Sequence, residues 1–439
     1  MRAILRKIWE DKRGNSLVIA AATLPLLLGS AGLATDTIQW ALWKRQLQRA
    51  ADSAAIAGVY QYVSDGNNSS VSGAVTKDIG LNNHTNVTMA GGYPQIAYPG
   101  DSGDFSKQVK VTLAVQRKLS FSGMFMPNPP LIKTSATAAS TPGTDEFCVV
   151  TLDKSASVAG IQITGNAAIN MDCSFMANST ANNAAYAKGS AEVYANSVAA
   201  VGGIQESKNW HVDSYEPYSP NFEDPYKNLD PSPGDMKCAG SWVKQGNKMV
   251  WTPTALDENT DVANAKDING DKANCFSSMS VGSNKSLSLP AGDYYINGGD
   301  AFIQGNLSCT SCAIILTNKD SGTIGQFKVN ASSEINLSAA NSGKFAGIAI
   351  MQDRRAGDVK GNKINGNSNS KIQGAIYFPS QEIEYNGTGN TTAVCTQFVS
   401  KRINFSGNSG TSNKFDKGSN CSAFGMNGLQ GGRRVRLVG

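Results

Sequence analysis

The sequence predicts an N-terminal transmembrane helix that continues into an amphipathic helix, followed by a small mixed α/β module and an all-β C-terminal region. Three observations lead to this fold class. An uncharged run lies near the N-terminus, short alternating apolar pairs recur after residue 148, and a composition with 45 Gly and only 17% charged residues favours turns and short strands. For the C-terminal region we expect a right-handed parallel β-helix, with a β-sandwich as the alternative.

The uncharged run covers residues 14–35 and is long enough to cross a bilayer. A helix of this length extends about 33 Å, and the bilayer core is about 30 Å thick. The alternative is a cleaved secretory signal, because Gly32 and Ala34 resemble a small-residue cleavage site. The run is longer than the apolar core of such signals, so we expect a retained anchor. With a retained anchor or with a cleaved signal, the rest of the chain is exported.

The basic residues on the two sides of this run predict its orientation. Residues 1–13 form a basic stub, and the side with more Lys and Arg stays in the cytoplasm. We therefore expect a single-pass protein of the bacterial inner (cytoplasmic) membrane whose body is periplasmic or extracellular. The basic residues are Arg2, Arg6, Lys7, Lys12 and Arg13 before the run, against Lys44, Arg45 and Arg49 after it.

Two further segments are predicted before residue 148. In residues 36–60, apolar side chains recur at mostly three- and four-residue intervals, which predicts an amphipathic helix on the membrane surface or against a partner helix. In residues 61–147, a helical stretch near residues 72–81 precedes alternating apolar residues, which predicts a small mixed α/β module. The residues in these patterns are Ile38, Leu42, Leu47, Ala50, Ala54 and Ala57, and then Val109, Val111, Leu113 and Val115.

Residues 148–439 repeat a pattern of two apolar residues in alternation followed by a Gly-Asn turn. The pattern begins at Ile161, Phe302, Ile364 and Ile403. Repeated short strands without helices between them predict coils that bury their apolar residues by stacking, as in a β-helix. Residues 205–280 are too rich in proline for a regular ladder, so they are predicted to form an insertion that covers or caps the coils. Cys238 and Cys275 would tie this insertion down.

All eight cysteines follow the apolar run, and their even number suits an oxidising compartment. The sequence alone cannot choose among the many possible pairings. Our hypothesis is nearest-neighbour pairing, because short loops close with the least loss of entropy. Cys309 and Cys312 have the spacing of half a zinc site or of a redox motif, but a second ligand pair is missing and strand-like sequence flanks them, so we expect a structural disulfide and no metal. The hypothetical pairs are Cys148–Cys173, Cys238–Cys275, Cys309–Cys312 and Cys395–Cys421.

The N-terminal segments resemble a known family. The letters RGNSLVIAAATLPLLLGSAGLATD around the apolar run, followed by LQRAADSAAIAG at residues 47–58, are similar to the pilin-like N-terminal TadE/TadG-type domain of TadG-like proteins of the Tad (Flp) pilus-assembly family. The resemblance implies a membrane-anchored, exported structural or assembly component of a type IV-like pilus system that acts by protein–protein contacts and adhesion. Its implied partners are other Tad/Flp envelope and pilus-assembly proteins and, through residues 14–35, the lipid bilayer.

One position departs from the pattern of type IV prepilins, which are cut after a glycine and carry a glutamate five residues later. Five residues after Gly14 this chain has Ile19. The carboxylate that would pair with the N-terminus of a neighbouring subunit is therefore missing. We expect a retained anchor rather than a processed subunit packed into a fibre.

No catalytic residue, cofactor or nucleic-acid partner is predicted. The net charge of +5 is small for 439 residues, and no basic stripe is interleaved with aromatic residues. The alternative function is a carbohydrate-binding or carbohydrate-active β-helix protein that uses acidic pairs. No spacing places two of its candidate acids on one face of adjacent coils, so we expect a protein that is not an enzyme. These acids are Asp293, Asp300, Asp353 and Asp358.

Overall fold

The computed structural model describes residues 13–81, 88–143, 146–365, 367, 369–386, 391–407, 410–414, 421–426, 429–430 and 434–438. Most of the predicted basic stub, residues 1–12, lies outside this part of the chain. The chain divides into two compact units. The first unit is formed by residues 1–141 and 434–439, and the second unit by residues 142–433.

The described residues form helices mainly in the first unit and strands mainly in the second. The α-helices are α1 (Arg13–Asp65), α2 (Val71–Leu81) and α3 (Ser122–Phe125), and short 3₁₀ helices cover Pro233–Asp235 and Cys421–Phe424. The strands are β1 (Gln95–Ala97), β2 (Ser106–Val115), β3 (Ile132–Thr141), β4 (Glu146–Thr151), β5 (Ile161–Ile163), β6 (Ala168–Met171), β7 (Ser174–Ala177), β8 (Ala185–Ala187), β9 (Glu192–Ala200), β10 (Ile204–Gln205), β11 (Trp210–Glu216), β12 (Gly240–Gln245), β13 (Lys248–Pro253), β14 (Cys275–Phe276), β15 (Met279–Val281), β16 (Ser286–Leu289), β17 (Gly292–Asn297), β18 (Ala301–Ile303), β19 (Asn306–Thr310), β20 (Cys312–Thr317), β21 (Phe327–Val329), β22 (Glu334–Ser338), β23 (Ile348–Gln352), β24 (Asn362–Ile364), β25 (Lys371–Tyr385), β26 (Thr391–Val394), β27 (Thr396–Phe405), β28 (Gly410–Lys414), β29 (Leu429–Gln430) and β30 (Arg434–Leu437).

Helix α1 is one continuous element of 53 residues, about 80 Å long at 1.5 Å per residue. It contains the apolar run and the predicted amphipathic segment, and Pro25 lies inside it without ending it. It continues to Asp65 because Tyr62 and Val63 still pack against the core of the first unit. Among the described residues it is the helix long and apolar enough to cross a membrane. Its first half exposes Ile19, Leu24, Leu26, Leu27, Leu28 and Leu33.

The second half of α1 packs on a sheet of its own unit. This antiparallel sheet has the order β1-β2-β3-β30, so the end of the chain supplies its last strand. A Cβ atom at Gly58 would lie 2.9 Å from Val109 Cγ1, so only glycine lets the helix come this close. The apolar face of residues 36–60 is thus used inside the unit, where the sequence predicted a membrane surface or a partner helix. The buried residues of this face are Trp43, Leu47, Ala50, Ala51, Ala54, Ala55 and Val59.

The described residues of the second unit form a large sheet of 24 strands, which pair in parallel apart from β29 with β4. From β14 to β22, each strand pairs with the third strand further along the chain, and β23 and β24 also pair with the long strand β25. Three ladders therefore run side by side. The first ladder contains β14, β17, β20, β23, β25 and β27. The second contains β15, β18, β21, β24 and β25, and the third contains β16, β19, β22 and β25. In the part of this sheet that the structure describes, the antiparallel pairing on which a β-sandwich depends is limited to two residue pairs.

Apolar residues stack in register from one strand of a ladder to the next. Leu287 of β16 pairs with Leu307 of β19, which pairs in turn with Ile335 of β22. Two residues further along the same strands, Cys309 pairs with Leu337 in the same way. All five side chains are buried. Each turn of the chain therefore covers the apolar residues of its neighbours, as stacking repeats require.

The strands that come first in the sequence of the second unit stack next to those that come last, and so lengthen the ladders. Strand β27 pairs with β4, where Phe398 opposes Val149, and with β5, where Ile403 opposes Ile161. The first ladder then continues through β7 and β9 to β11. Because β11 and β14 lie at opposite ends of this ladder, residues 217–274 must return along its whole length. We call this segment, which covers most of the predicted insertion, the return connection.

We expect Ala54→Leu to lower the free energy of unfolding by about 1–3 kcal/mol, because Ala54 is fully buried and added methyl groups would overpack the helix–sheet contact. The matched control is Ala41→Leu, at an exposed position of the same helix. Denaturant unfolding of the full chain in detergent measures both effects. Equal stability of the two variants would contradict this packing.

Candidate functional site

The eight cysteines meet in the four nearest-neighbour pairs. The Cα–Cα distances are 5.8 Å for Cys148–Cys173, 4.1 Å for Cys238–Cys275, 6.1 Å for Cys309–Cys312 and 5.4 Å for Cys395–Cys421. Cys238 belongs to the return connection and Cys275 begins β14, so this pair ties the connection to the first strand of the ladder. The structure thus brings together every sequence-predicted site residue, and the oxidation of the pairs in the cell stays a prediction.

A largely buried group of charges, with Asp358 at its exposed edge, lies where β27 meets β4. The side chain of Arg402 is only 11% exposed, and its Nη1 donates a hydrogen bond to Asp153 Oδ2 at 2.5 Å. Its Nη2 donates to Asp358 Oδ1 at 2.7 Å, and its Nε lies 3.4 Å from Glu382 Oε2. Burial of Arg402, Asp153 and Glu382 is tolerable because each charge has a partner of opposite sign. The group therefore links the first and last strands of the unit.

A second charged group surrounds Asp353, whose residue is 2% exposed. Arg355 Nη2 lies 2.6 Å from Asp353 Oδ2, and the Thr317 hydroxyl donates to the same oxygen at 2.7 Å. Burial raises the pKa of Asp353, but the hydrogen bonds from Arg355 and Thr317 outweigh burial and leave that pKa below its ordinary value. The carboxylate is therefore charged near neutral pH and held as a structural group.

The return connection is held on the ladder by Arg354. Its Nε donates to Asp230 Oδ1 at 2.6 Å, and its Nη2 donates to the backbone oxygen of Tyr226 at 3.0 Å. The hydroxyl of Tyr377 in β25 donates to Asp224 Oδ2 at 2.7 Å. Burial, followed by the charge of Asp224, raises the pKa of Tyr377. The return connection is thus held on the ladder by polar contacts, and beside them Phe222, Tyr226 and Leu229 pack against apolar residues of the unit.

Three of the four acids considered for carbohydrate chemistry are engaged in ion pairs. Besides Asp353, Lys328 Nζ lies 2.8 Å from Asp300 Oδ2 and Lys401 Nζ lies 2.8 Å from Asp358 Oδ2. Asp293 is different, because burial and then the charge of Asp235 raise its pKa. Within the described ranges no three His, Cys, Asp or Glu side chains are grouped to hold a metal ion.

The return connection also carries an exposed hairpin formed by β12 and β13. Trp242 opposes Trp251 across the hairpin, and their rings meet edge to face at 5.5 Å. Trp242 and Met249 are each 55% exposed, and Val243 on the other face is exposed as well. The hairpin forms a separate two-stranded sheet outside the large one. Such exposed apolar side chains are typical of a contact surface.

Sequence reasoning identified none of the polar contacts that join distant parts of the second unit. Arg402 and Asp153 are 249 residues apart, and Arg354 and Asp224 are 130 residues apart. No local pattern marks such pairs. The hairpin did carry a signal, because its two tryptophans flank the Gly246 turn in an alternating strand pattern.

Comparison with known proteins identifies the N-terminal part of the chain. Residues 14–61 match the model of the Tad family, described as Flp pilus-assembly TadE/G-like. These residues cover most of α1, including the exposed apolar half and the alanine-rich face on the sheet. The chain carries a TadE/G-like pilus-assembly domain at these residues. Among curated proteins, none matches the chain.

Among solved structures, the chain is similar to the competence-associated pilin ComZ from Thermus thermophilus. The sequence identity is 10%, the match covers 89% of this chain and 98% of that chain, and the TM-score is 0.38.

Peptide mapping without reduction tests the cysteine pairs. We expect the four nearest-neighbour disulfides in the protein purified from its host, because each pair lies within the Cα–Cα reach of a disulfide bond or close to it. Free thiols in the native protein, or bridges between different pairs, would contradict this pairing.

Asp353→Asn is expected to lower the free energy of unfolding by about 1–3 kcal/mol at pH 7, because charge-assisted hydrogen bonds are lost. A carboxyl with a lowered pKa contributes its full stability above the ordinary value of 3.8, and this contribution is lost as the pH falls through the lowered value. The difference between variant and parent should therefore shrink below about pH 3.8. Urea unfolding across pH measures it, with the exposed Asp320→Asn as control. A difference that does not change with pH would contradict the role given to the charge.

Proposed function

We propose that this chain is a membrane-anchored, exported structural component of a Tad (Flp) pilus system that works by protein–protein contacts and adhesion. The observation that carries the proposal is the TadE/G-like domain at residues 14–61. In the fold, these residues form a helix with an exposed apolar half followed by a half buried in the first unit. A chain of this kind is suited to hold a folded body at a membrane. Its proposed partners are other Tad/Flp envelope and pilus-assembly proteins.

The proposed anchor is residues 14–35, which cross the inner membrane once. Residues 1–13 remain in the cytoplasm, and the body lies in the periplasm or outside the cell. The excess of basic residues before the run supports this orientation. Exposed leucines along the first half of α1 support contact with lipid, because transfer of apolar side chains from water into lipid is favourable. The four cysteine pairs suit an oxidising compartment.

For the exported body, expected at residues 148–439, we propose a right-handed parallel β-helix with an insertion at residues 205–280. Strand β30 is not part of this β-helix, because it joins the antiparallel sheet of the first unit. Parallel pairing of each strand from β14 to β22 with the third one along the chain supports three faces per coil. In this proposal residues 36–60 and most of residues 61–147 belong to one compact unit and follow the anchor in the sequence. The body has a structural, non-enzymatic role, and the ion pairs of Asp300, Asp353 and Asp358 support this role by engaging acids that catalysis would need.

A carbohydrate-binding or carbohydrate-active body is the alternative, and the exposed hairpin favours it specifically. Trp242 presents a large aromatic surface to solvent beside Trp251. An exposed aromatic ring with a polar edge is suited to contact a ligand that has both apolar and hydroxyl surfaces. The two functions differ in what they require, because binding a glycan does not need other pilus proteins.

Deletion of the gene in its host tests the proposed function. We expect loss or strong reduction of surface pili and attachment, restored by the full chain supplied in trans. The matched variant replaces residues 14–35 by a cleavable secretory signal, so that the body is exported without an anchor, and it should fail to restore pili. A reporter fused after Tyr60 checks export independently.

Normal pili and normal attachment in the deletion strain would contradict the pilus role, as would a reporter found in the cytosol. Binding of a polysaccharide by the purified full chain, together with normal pili, would favour the alternative function.

A further inference from the structure

The loop between β2 and β3 docks on α1 at the end of the apolar run. We call residues 116–131 the interface loop. A Cβ atom at Gly32 would overlap the ring of Phe121, and the backbone N–H of Ser122 donates to Asp36 Oδ2 at 2.5 Å. Gly32 and Asp36 are one turn apart and both buried, so the loop covers one face of the helix there. Gln116 Nε2 donates to the backbone oxygen of Pro129 at 2.9 Å and closes the base of the loop.

The tip of this loop exposes large apolar side chains. Met124 is 77% exposed and Phe125 is 75% exposed, on the short helix α3. Phe121 and Leu131 also remain exposed at the edges of the loop. Such side chains are normally buried in a protein that faces only water. Their grouping beside the bare half of α1 extends one apolar surface from the helix to the loop.

The position of the loop along α1 matches the outer boundary of a bilayer. From residue 14 to residue 32 the helix rises about 27 Å, and the bilayer core is about 30 Å thick. If the run begins at the inner boundary, Gly32 lies near the outer one. Strands β2 and β3 pack on the later part of α1, so the loop that joins their ends reaches back towards the membrane.

The charge of the loop suits an anionic lipid surface. Arg117 and Lys118 are exposed, and residues 116–131 contain no acidic residue. Lys and Arg near a membrane surface each contribute about fivefold to binding of anionic lipid (about 1 kcal/mol). Aromatic and basic side chains side by side are typical of elements that lie in the interface of a membrane.

We propose that the interface loop is a second membrane contact, in which Met124 and Phe125 enter the outer leaflet while Arg117 and Lys118 bind lipid phosphates. The occupant of this surface is the lipid bilayer itself. Two points of contact, the helix and the loop, would fix the tilt and rotation of α1 and thereby hold the first unit in one orientation against the membrane. This inference rests on the proposed anchoring of residues 14–35.

Photo-crosslinking of the full chain in vesicles of zwitterionic phosphatidylcholine and anionic phosphatidylglycerol at 3:1 tests the proposal. The probe is Phe125→p-benzoylphenylalanine, and the matched control is Leu81→p-benzoylphenylalanine, an equally exposed apolar site at the end of α2. We expect lipid adducts by mass spectrometry at position 125 and none at position 81. The double variant Arg117→Gln with Lys118→Gln should lower the ratio of phosphatidylglycerol adducts to phosphatidylcholine adducts at least fivefold, towards the ratio of the two lipids in the vesicle.

Extraction with alkaline carbonate, which removes proteins that are not integrally anchored, separates the two proposals. A chain that resists extraction but forms no lipid adduct at position 125 overturns the loop contact and leaves the anchor intact. Protein adducts at position 125 in place of lipid would also overturn it, since they would identify a second copy or a partner as the occupant. A chain that carbonate releases would contradict the anchor.

Discussion

Backbone pairing between β27 and β4 is the interaction on which the second unit depends. Without it, the first strand of the unit would be an edge with unpaired N–H and C=O groups. With it, the early strands extend the same ladders as the late ones, and one continuous apolar core forms. The pairing also forces the return connection to travel the length of the stack, and it brings Arg402 beside Asp153. The polar contacts of Arg354 and the Cys238–Cys275 pair then hold that connection in place.

The two halves of helix α1 lie in different environments, since the first half is exposed and the second half packs against the sheet of the first unit. Its first half presents branched apolar side chains outward, whereas its second half is narrow because alanine and glycine face the sheet. Small residues at this face allow close approach and dense packing, which long side chains would prevent. This explains in physical terms why the segment LQRAADSAAIAG, which lies within the residues that match the TadE/G-like model, has the sequence pattern of a weakly amphipathic helix. Its apolar content serves the fold of the first unit rather than a membrane surface.

Local patterns accounted for the elements and for contacts between near neighbours. The apolar run, the helix after it, the alternating strands and the neighbouring cysteines all depend on residues a few to a few tens of positions apart. The order in which strands stack did not follow from such patterns, because a parallel ladder accepts any strand with apolar residues in alternation. The contacts of Arg402 and Arg354, and the addition of β30 to β3, join residues from distant parts of the chain, and nothing in their immediate sequence distinguishes them from solvated charges or a tail.

The sequence by itself determined that this protein has one long apolar helix near its N-terminus, a TadE/G-like segment within that helix, and a body of short strands with eight cysteines. Side-chain periodicity and hydrophobicity are properties of the chain alone, so they could be read without a fold. Only the tertiary structure decided that the alanine face packs on a sheet, that the first strands follow the last in the ladders, and that the interface loop lies at the end of the apolar run. These features depend on which surfaces meet in space, and that choice is made by the sum of many contacts between residues far apart in sequence.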